Sequence, residues 1–178
     1  MYEEILKFWF EEIEPSQWWK KDEDLDRLIT VQFSDIHRRA TLCELFEWRK
    51  DAHGRLAEVI VIDQFSRNMF RDSPLSFAYD ALALALAQEA ISVGADKLLK
   101  QTERSFLYMP FMHSESLKMH EIATRLFRDN GNQNSLDFEL KHKAIIARFG
   151  RYPHRNSILG RKSTDEEIEF LKQPGSGF

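Results

Sequence analysis

Cysteine is almost absent: Cys43 is the single one in 178 residues, which excludes an internal disulfide and any zinc cluster built on several thiolates. The opening MYEEILKFWFEE carries acid early and lacks a basic n-region with a cleavage site, so it does not read as a signal peptide. No run approaches the ~20 apolar residues that a membrane-spanning helix needs. A cytoplasmic protein is the default expectation. There is no excess of positive charge either. The net charge of −4 argues against an extended nucleic-acid track, and RNA or DNA ranks low among expected partners. Neither H-E-x-x-H, G-x-S-x-G, a P-loop nor G-x-G-x-x-G occurs, and no repeat with a period of 34 is visible.

What is present is helical periodicity and aromatic bulk. Fourteen Phe and four Trp within 43% hydrophobic and 30% charged residues describe an ordinary globular core, and the length suits one domain. Tyr2, Ile5, Leu6, Trp9 and Ile13 recur at steps of 3 and 4 until Pro15, and Phe8, Trp9, Phe10, Trp18 and Trp19 are expected to be core. Asp22 or Asp24 can cap a helix burying Leu25, Leu28, Ile29, Gln32, Phe33 and Ile36. A short helix with Leu42, Leu45, Phe46 and Trp48 should end near His53-Gly54, leaving Cys43 an inert core thiol.

The VIVI run (59–62) continues to Arg71 without a turn residue. About 16 residues is long for a strand, so a central helix is expected. ALALALAQEA (81–90) alternates like a strand, but Ala and Leu are helix formers, and Pro74 stands just before it. Further helices are expected from Ser114 to Asn130-Gly131, from Ser135 or Asp137 to Phe149, and from the Thr164/Glu167 capping box. The expectation is an all-α fold of seven to eight helices packed as antiparallel pairs over 1–172, followed by a loosely held tail, 173–178.

Three stretches are odd as plain structure. In the first, Asp63, Gln64, Arg67 and Arg71 fall on one face of an otherwise apolar helix, with Asn68 beside them. Buried polar groups of this kind need partners, which is either an Asp63–Arg67 pair or a pocket lining. The second stretch holds Arg104, Tyr108, Pro110, His113, Ser114 and Glu115. Pro110 is expected to turn the chain and deliver the last three to a helix N-terminus. The third, 148–161, contains Arg148, Arg151, His154, Arg155, Asn156 and Arg161. It has four of the fourteen Arg and none of the eleven Lys, a bias expected where bidentate pairing matters. His113-Ser-Glu115 has the H-x-E of a zinc deaminase, but the P-C-x-x-C is missing. His113 and His120 share a face without an obvious third ligand, so neither metal nor cofactor is expected.

IDQFSRNMFR (62–71), ERSFLYMPFMHSE (103–115) and FGRYPHRNSILGRKSTDEE (149–167), in this order, resemble the signatures of a bacterial family, domain of unknown function 924. Tyr152, Ser116 and Asp165 depart from the usual Phe, acid and Pro. The resemblance implies a helical fold similar to tetratricopeptide-repeat superhelices, which are right-handed. It implies no activity, catalytic residue or cofactor, and a fold alone settles no function.

Three functions are open to this sequence. The first is binding of an anionic small molecule or acidic peptide end in a polar groove lined by Arg67, Arg71, Arg104, Arg151 and Arg155, with Tyr108 and His154 orienting it. The second is an enzyme on such a ligand, with Asp63 or Glu115 and His113 or His154 in acid–base roles. The third is a structural or adaptor protein in which the arginines form an internal ion-pair network. Oligomeric state is not readable.

Overall fold

The computed structural model describes residues 1–177 and is all-α, with eight helices joined by short 3₁₀ turns and no strand among those residues. Phe178, the last residue of the expected tail, lies outside them. Before it, the Ser176 hydroxyl donates to the Leu171 carbonyl.

Helix α1 (Tyr2–Lys7) widens into a π turn, Phe8–Glu12, and buries Ile5, Phe8 and Trp9. The aromatic patch divides. Phe8 and Trp9 are core, whereas Trp19 is 60% exposed, stacked on Phe106 at 5.9 Å. Helix α2 (Glu23–Thr41) starts on the Asp22 carboxylate, which accepts from the amides of Asp24 and Leu25. Its buried stripe is Leu25, Ile29, Phe33, His37 and Ala40, so the expected face was rotated: Leu28 and Gln32 point to solvent.

Residues 42–50 do not form a core helix. Leu45 and Trp48 are buried, but Leu42 and Phe46 are exposed. Cys43 is exposed too, with φ of 58°, so it is a surface thiol in a left-handed turn and not a core one. Gly54 ends nothing. It lies in the first turn of α3 (Ala52–Ile60), capped by Asp51, where a Cβ would run into the Trp48 carbonyl. The glycine is there for close approach.

The VIVI run is helical and central, as its length required. Helix α3 continues through a π turn, Val61–Phe65, into Ser66–Met69, and nearly every residue from Leu56 to Ser66 is buried. Side chains cap the carbonyls around that turn: Ser66 Oγ donates to Ile62 O (2.6 Å) and Arg67 Nη1 to Asp63 O (2.8 Å). Helix α4 (Asp80–Ser92) presents wholly buried Ala83, Ala87 and Ala90 to its neighbours, and Pro74 sits earlier, in a separate 3₁₀ turn.

Helix α5 (Gln101–His113) runs straight through Pro110, which corrects the expected turn there. A proline in the last turn costs one intrahelical bond, and burial of Phe106 to Met112 outweighs it. His113 therefore ends a helix instead of starting one, and α6 begins only at Leu117 (Leu117–Asn130). Gly131, with φ of 75°, stops α6, and Asn132 caps α7 (Gln133–Phe149), one turn earlier than the expected Ser135. Helix α8 (Asp165–Leu171) has the Thr164/Glu167 capping box. Helices α5, α6 and α7 pack successively across joints of three and two residues, which makes them antiparallel neighbours, compatible with a tetratricopeptide-repeat-like stack.

Candidate ligand site around Asp63, His113 and Arg155

The second half of α3, the end of α5, the start of α4 and the 151–156 loop meet at one place. Asp63, on the π turn, is 1% exposed, and its carboxylate meets His113 Nδ1 at 2.7 Å, Arg67 Nη1 at 3.1 Å and Gln64 Nε2 at 2.5 Å. Arg67 reaches on to Asp80 Oδ2 (3.0 Å), and the same oxygen faces Arg155 Nη1 at 3.3 Å. The result is a chain of alternating charge, Asp63–Arg67–Asp80–Arg155, with the imidazole of His113 attached at one end.

The ends of that chain are incompletely bonded. The Arg155 side chain is 8% exposed, with its guanidinium carbon 4.5 Å from both the Phe77 and the Tyr152 ring centroids. Asp80, shared with Arg67, is the acceptor for its Nη1; among the described residues Nε is buried without a partner and no hydrogen bond engages Nη2. Burial lowers the pKa of Arg155, and Arg67 adds to the effect by like-charge repulsion.

His113 is bonded on one side only. Burial opposes ionisation of Asp63, yet Arg67 and His113 outweigh it and hold the carboxyl well below the usual carboxylate range. An ionised Asp63 accepts the Nδ1 proton, which leaves the Nε2 lone pair of His113 as the free one. No hydrogen bond engages that nitrogen among the described residues, and the side chain is 15% exposed. Burial, then Arg67, lower the imidazole pKa and keep it neutral near pH 7.

The third stretch is a folded platform and not a solvated loop. Tyr152 is fully buried. Its hydroxyl donates to Met112 O (2.5 Å), covering a C-terminal carbonyl of α5, and its amide donates to Glu115 Oε1 (2.7 Å). Arg161 grips Glu115 with two bonds (2.6 and 2.9 Å) and also donates to Asn156 Oδ1, a fully buried amide, and to Tyr152 O. Arg151 pairs in the same two-bond manner with Glu167 (2.7 and 2.8 Å), and Arg148 with Glu166 at the surface. Ser114 supplies its carbonyl to His120 Nε2, whose Nδ1 faces the fully buried Glu139 at 3.0 Å. Burial raises the pKa of Glu139. His154 lies beside Tyr152, with its pKa pushed down to about 4 by burial.

Other expected site residues go elsewhere. Helix α3 ends at Met69, so Arg71 leaves the Asp63 face, and with Asn68 it clamps Asp26 of α2 at 2.6–2.8 Å. Arg104 and Tyr108 line a separate cleft of about 210 Å³ with Asp96, Leu126, Asp129 and Asn130. A second cleft, of about 260 Å³, lies between α2 and the end of α3, near His37, Phe70 and Tyr79. Of the sixteen expected residues, Asp63, Gln64, Arg67, His113 and Arg155 converge, with Glu115, His154, Asn156 and Arg161 supporting them. Sequence reasoning missed Asp80 and Phe77. Asp80 carries one faint signal, an acid in the first turn of a helix; Phe77 carries none.

The family model for "Bacterial protein of unknown function (DUF924)" matches residues 5–175. A solved structure of a protein of unknown function from Agrobacterium tumefaciens is similar throughout: 37% identity, 96% of each chain covered, and a TM-score of 0.91. No curated protein matches.

Proposed function

This chain belongs to the bacterial DUF924 family, and from that premise we propose that it binds a small molecule or acidic peptide end through an anionic group at the edge formed by Arg67, His113 and Arg155. The observation that carries this reading is the bonding of Arg155: a guanidinium over nine-tenths buried, with one 3.3 Å contact to a carboxylate that it shares and an unbonded Nε. A buried charge so thinly compensated costs several kcal/mol, roughly, and a bound carboxylate or phosphate offsets that cost with charge-assisted bonds. Phe77 and Tyr152 fix the guanidinium plane, so the ligand meets a preset donor geometry. The paired Arg148, Arg151 and Arg161 support a narrower form of the adaptor reading, in which they hold the platform and not the ligand.

Thermal unfolding with added inorganic phosphate and succinate tests the proposal. An anion at 100 times its Kd adds about 2.7 kcal/mol, a rise of roughly 5–10 °C for a chain of this size. Arg155→Lys should keep the fold and lose the response. A wild-type midpoint indifferent to both anions refutes binding.

A second reading rests on the Asp63–His113 pair. A neutral imidazole held by a buried carboxylate, with Nε2 open, has the makings of a general base beside an anion-binding arginine. Turnover of a bound carboxylate or phosphate compound that His113→Gln abolishes without weakening its binding would support an enzyme.

A further inference from the structure

We propose that the cleft walled by Asp96, Arg104, Tyr108 and Asp129 is a second site, for a small zwitterion that carries an ammonium and a carboxylate in the manner of a free amino acid. It is built from α5, the end of α6 and the 3₁₀ turn Ala95–Leu98, away from the Asp63 network. Its charges are left apart. Arg49 closes on Glu58, Arg71 on Asp26 and Arg161 on Glu115 with two bonds each. Here Arg104 spends Nε on the neutral Asn130 side chain (2.8 Å) and makes no ion pair among the described residues, although Asp96 and Asp129 line the same cleft.

Both carboxylates keep acceptor capacity. Asp96 is nine-tenths buried: Oδ2 takes the Tyr108 hydroxyl at 2.8 Å, while Oδ1 is enclosed and unbonded. An unbonded buried carboxylate oxygen is costly, and an ammonium is the donor that satisfies it best. The Asp129 carboxylate, at the exposed rim, has no hydrogen bond or ion pair among the described residues. Tyr108 joins the two signs: burial and then Asp96 raise its pKa, Arg104 opposes them, and Asp129 adds the smallest rise. An ammonium between Asp96 and Asp129 meets both carboxylates, and a ligand carboxylate meets the Arg104 Nη groups, which have no partner among the described residues. The volume of about 210 Å³ is below the range of drug-sized pockets, which suits a molecule of amino-acid size.

Isothermal titration of the full chain with the free L-amino acids, and with the N-acetyl and carboxamide forms of any that bind, tests this. At least one amino acid should bind. Each capped form should bind about tenfold more weakly or worse, as should Asp129→Asn and Arg104→Gln toward the free amino acid. Gln at 104 keeps a donor for Asn130, and Asp129 supports nothing in the fold, so that variant decides even if the other unfolds. No binding up to about 10 mM, equal binding of either capped form, or indifference to Asp129→Asn would overturn the proposal. Binding lost in Arg155→Lys and kept in Asp129→Asn would assign the amino acid to the first site instead.

Discussion

Replacing Asp63 with Asn keeps the shape and removes one charge from the centre of the network. The native carboxylate is 1% exposed and holds His113 at 2.7 Å and Arg67 at 3.1 Å. An Asn oxygen in place of Oδ1 can still accept from His113 and Arg67, but it carries no charge for Arg67, and the amide nitrogen then faces another donor, Gln64 Nε2. Arg67 is left with Asp80, which also serves Arg155. Breaking a buried pair costs about 3–5 kcal/mol. Arg67 is one-fifth exposed and can recover some hydration, which puts the loss near 3 kcal/mol, roughly. For a chain of this length that lowers the midpoint by roughly 6–12 °C. Urea unfolding of Asp63→Asn, Arg67→Met and the double variant closes a cycle, and the double variant should be less damaged than the sum by about 1–3 kcal/mol. Nitrogen shifts of His113 should move from a single tautomer with the proton on Nδ1 toward a mixture. A loss below about 1 kcal/mol with unchanged His113 shifts would refute both the buried pair and the general-base reading.

Arg161→Ala should cost about 2 kcal/mol in urea unfolding, since it removes four bonds from Glu115, Asn156 and the Tyr152 carbonyl at a half-buried junction. Arg148→Ala should cost under about 0.5 kcal/mol, because Arg148 and Glu166 are 48% and 62% exposed; equal costs would mean that burial does not rank these pairs. Acid should weaken the fold well above the carboxylate range. Burial depresses His37, His113, His142 (to about 3) and His154 (to about 4), so below the ordinary histidine value the unfolded chain binds protons that the folded chain refuses. Each refused proton costs up to about 1.4 kcal/mol per pH unit as pH falls below about 6.5. Glu139, raised by burial, offsets part of this loss, and Asp63 and Glu167, held low, add to it only below about pH 4.5. Urea midpoints that stay flat from about pH 7.5 to 5 would contradict these signs.

The sequence by itself determined the all-α class, the central helix and several helix ends, among them the Asp22 cap, the Gly131 stop and the Thr164 cap. Periodicity, Gly131 and the Thr164/Glu167 box act through neighbours within one or two turns, and that information is local. It also singled out the three polar stretches, because charged and amide groups inside apolar helices need partners wherever they lie. Where local signals compete with burial they mislead. Pro110 reads as a turn, yet a helix carrying Phe106, Leu107 and Phe111 into the core absorbs it. Gly54 reads as a stop, yet it marks contact with Trp48.

Apart from the Asp63–Arg67 pair, one helical turn apart, which arginine of the site meets which carboxylate was decided by the tertiary structure. Asp80 reaches Arg155 across 75 positions, Glu115 reaches Arg161 across 46, and Arg71 turns to Asp26 once α3 ends. Such pairings depend on helix packing, to which every side chain of the core contributes, and no spacing along the chain encodes them. The same packing left Arg155 and Asp96 underbonded, and so separated them from the arginines that hold the platform together.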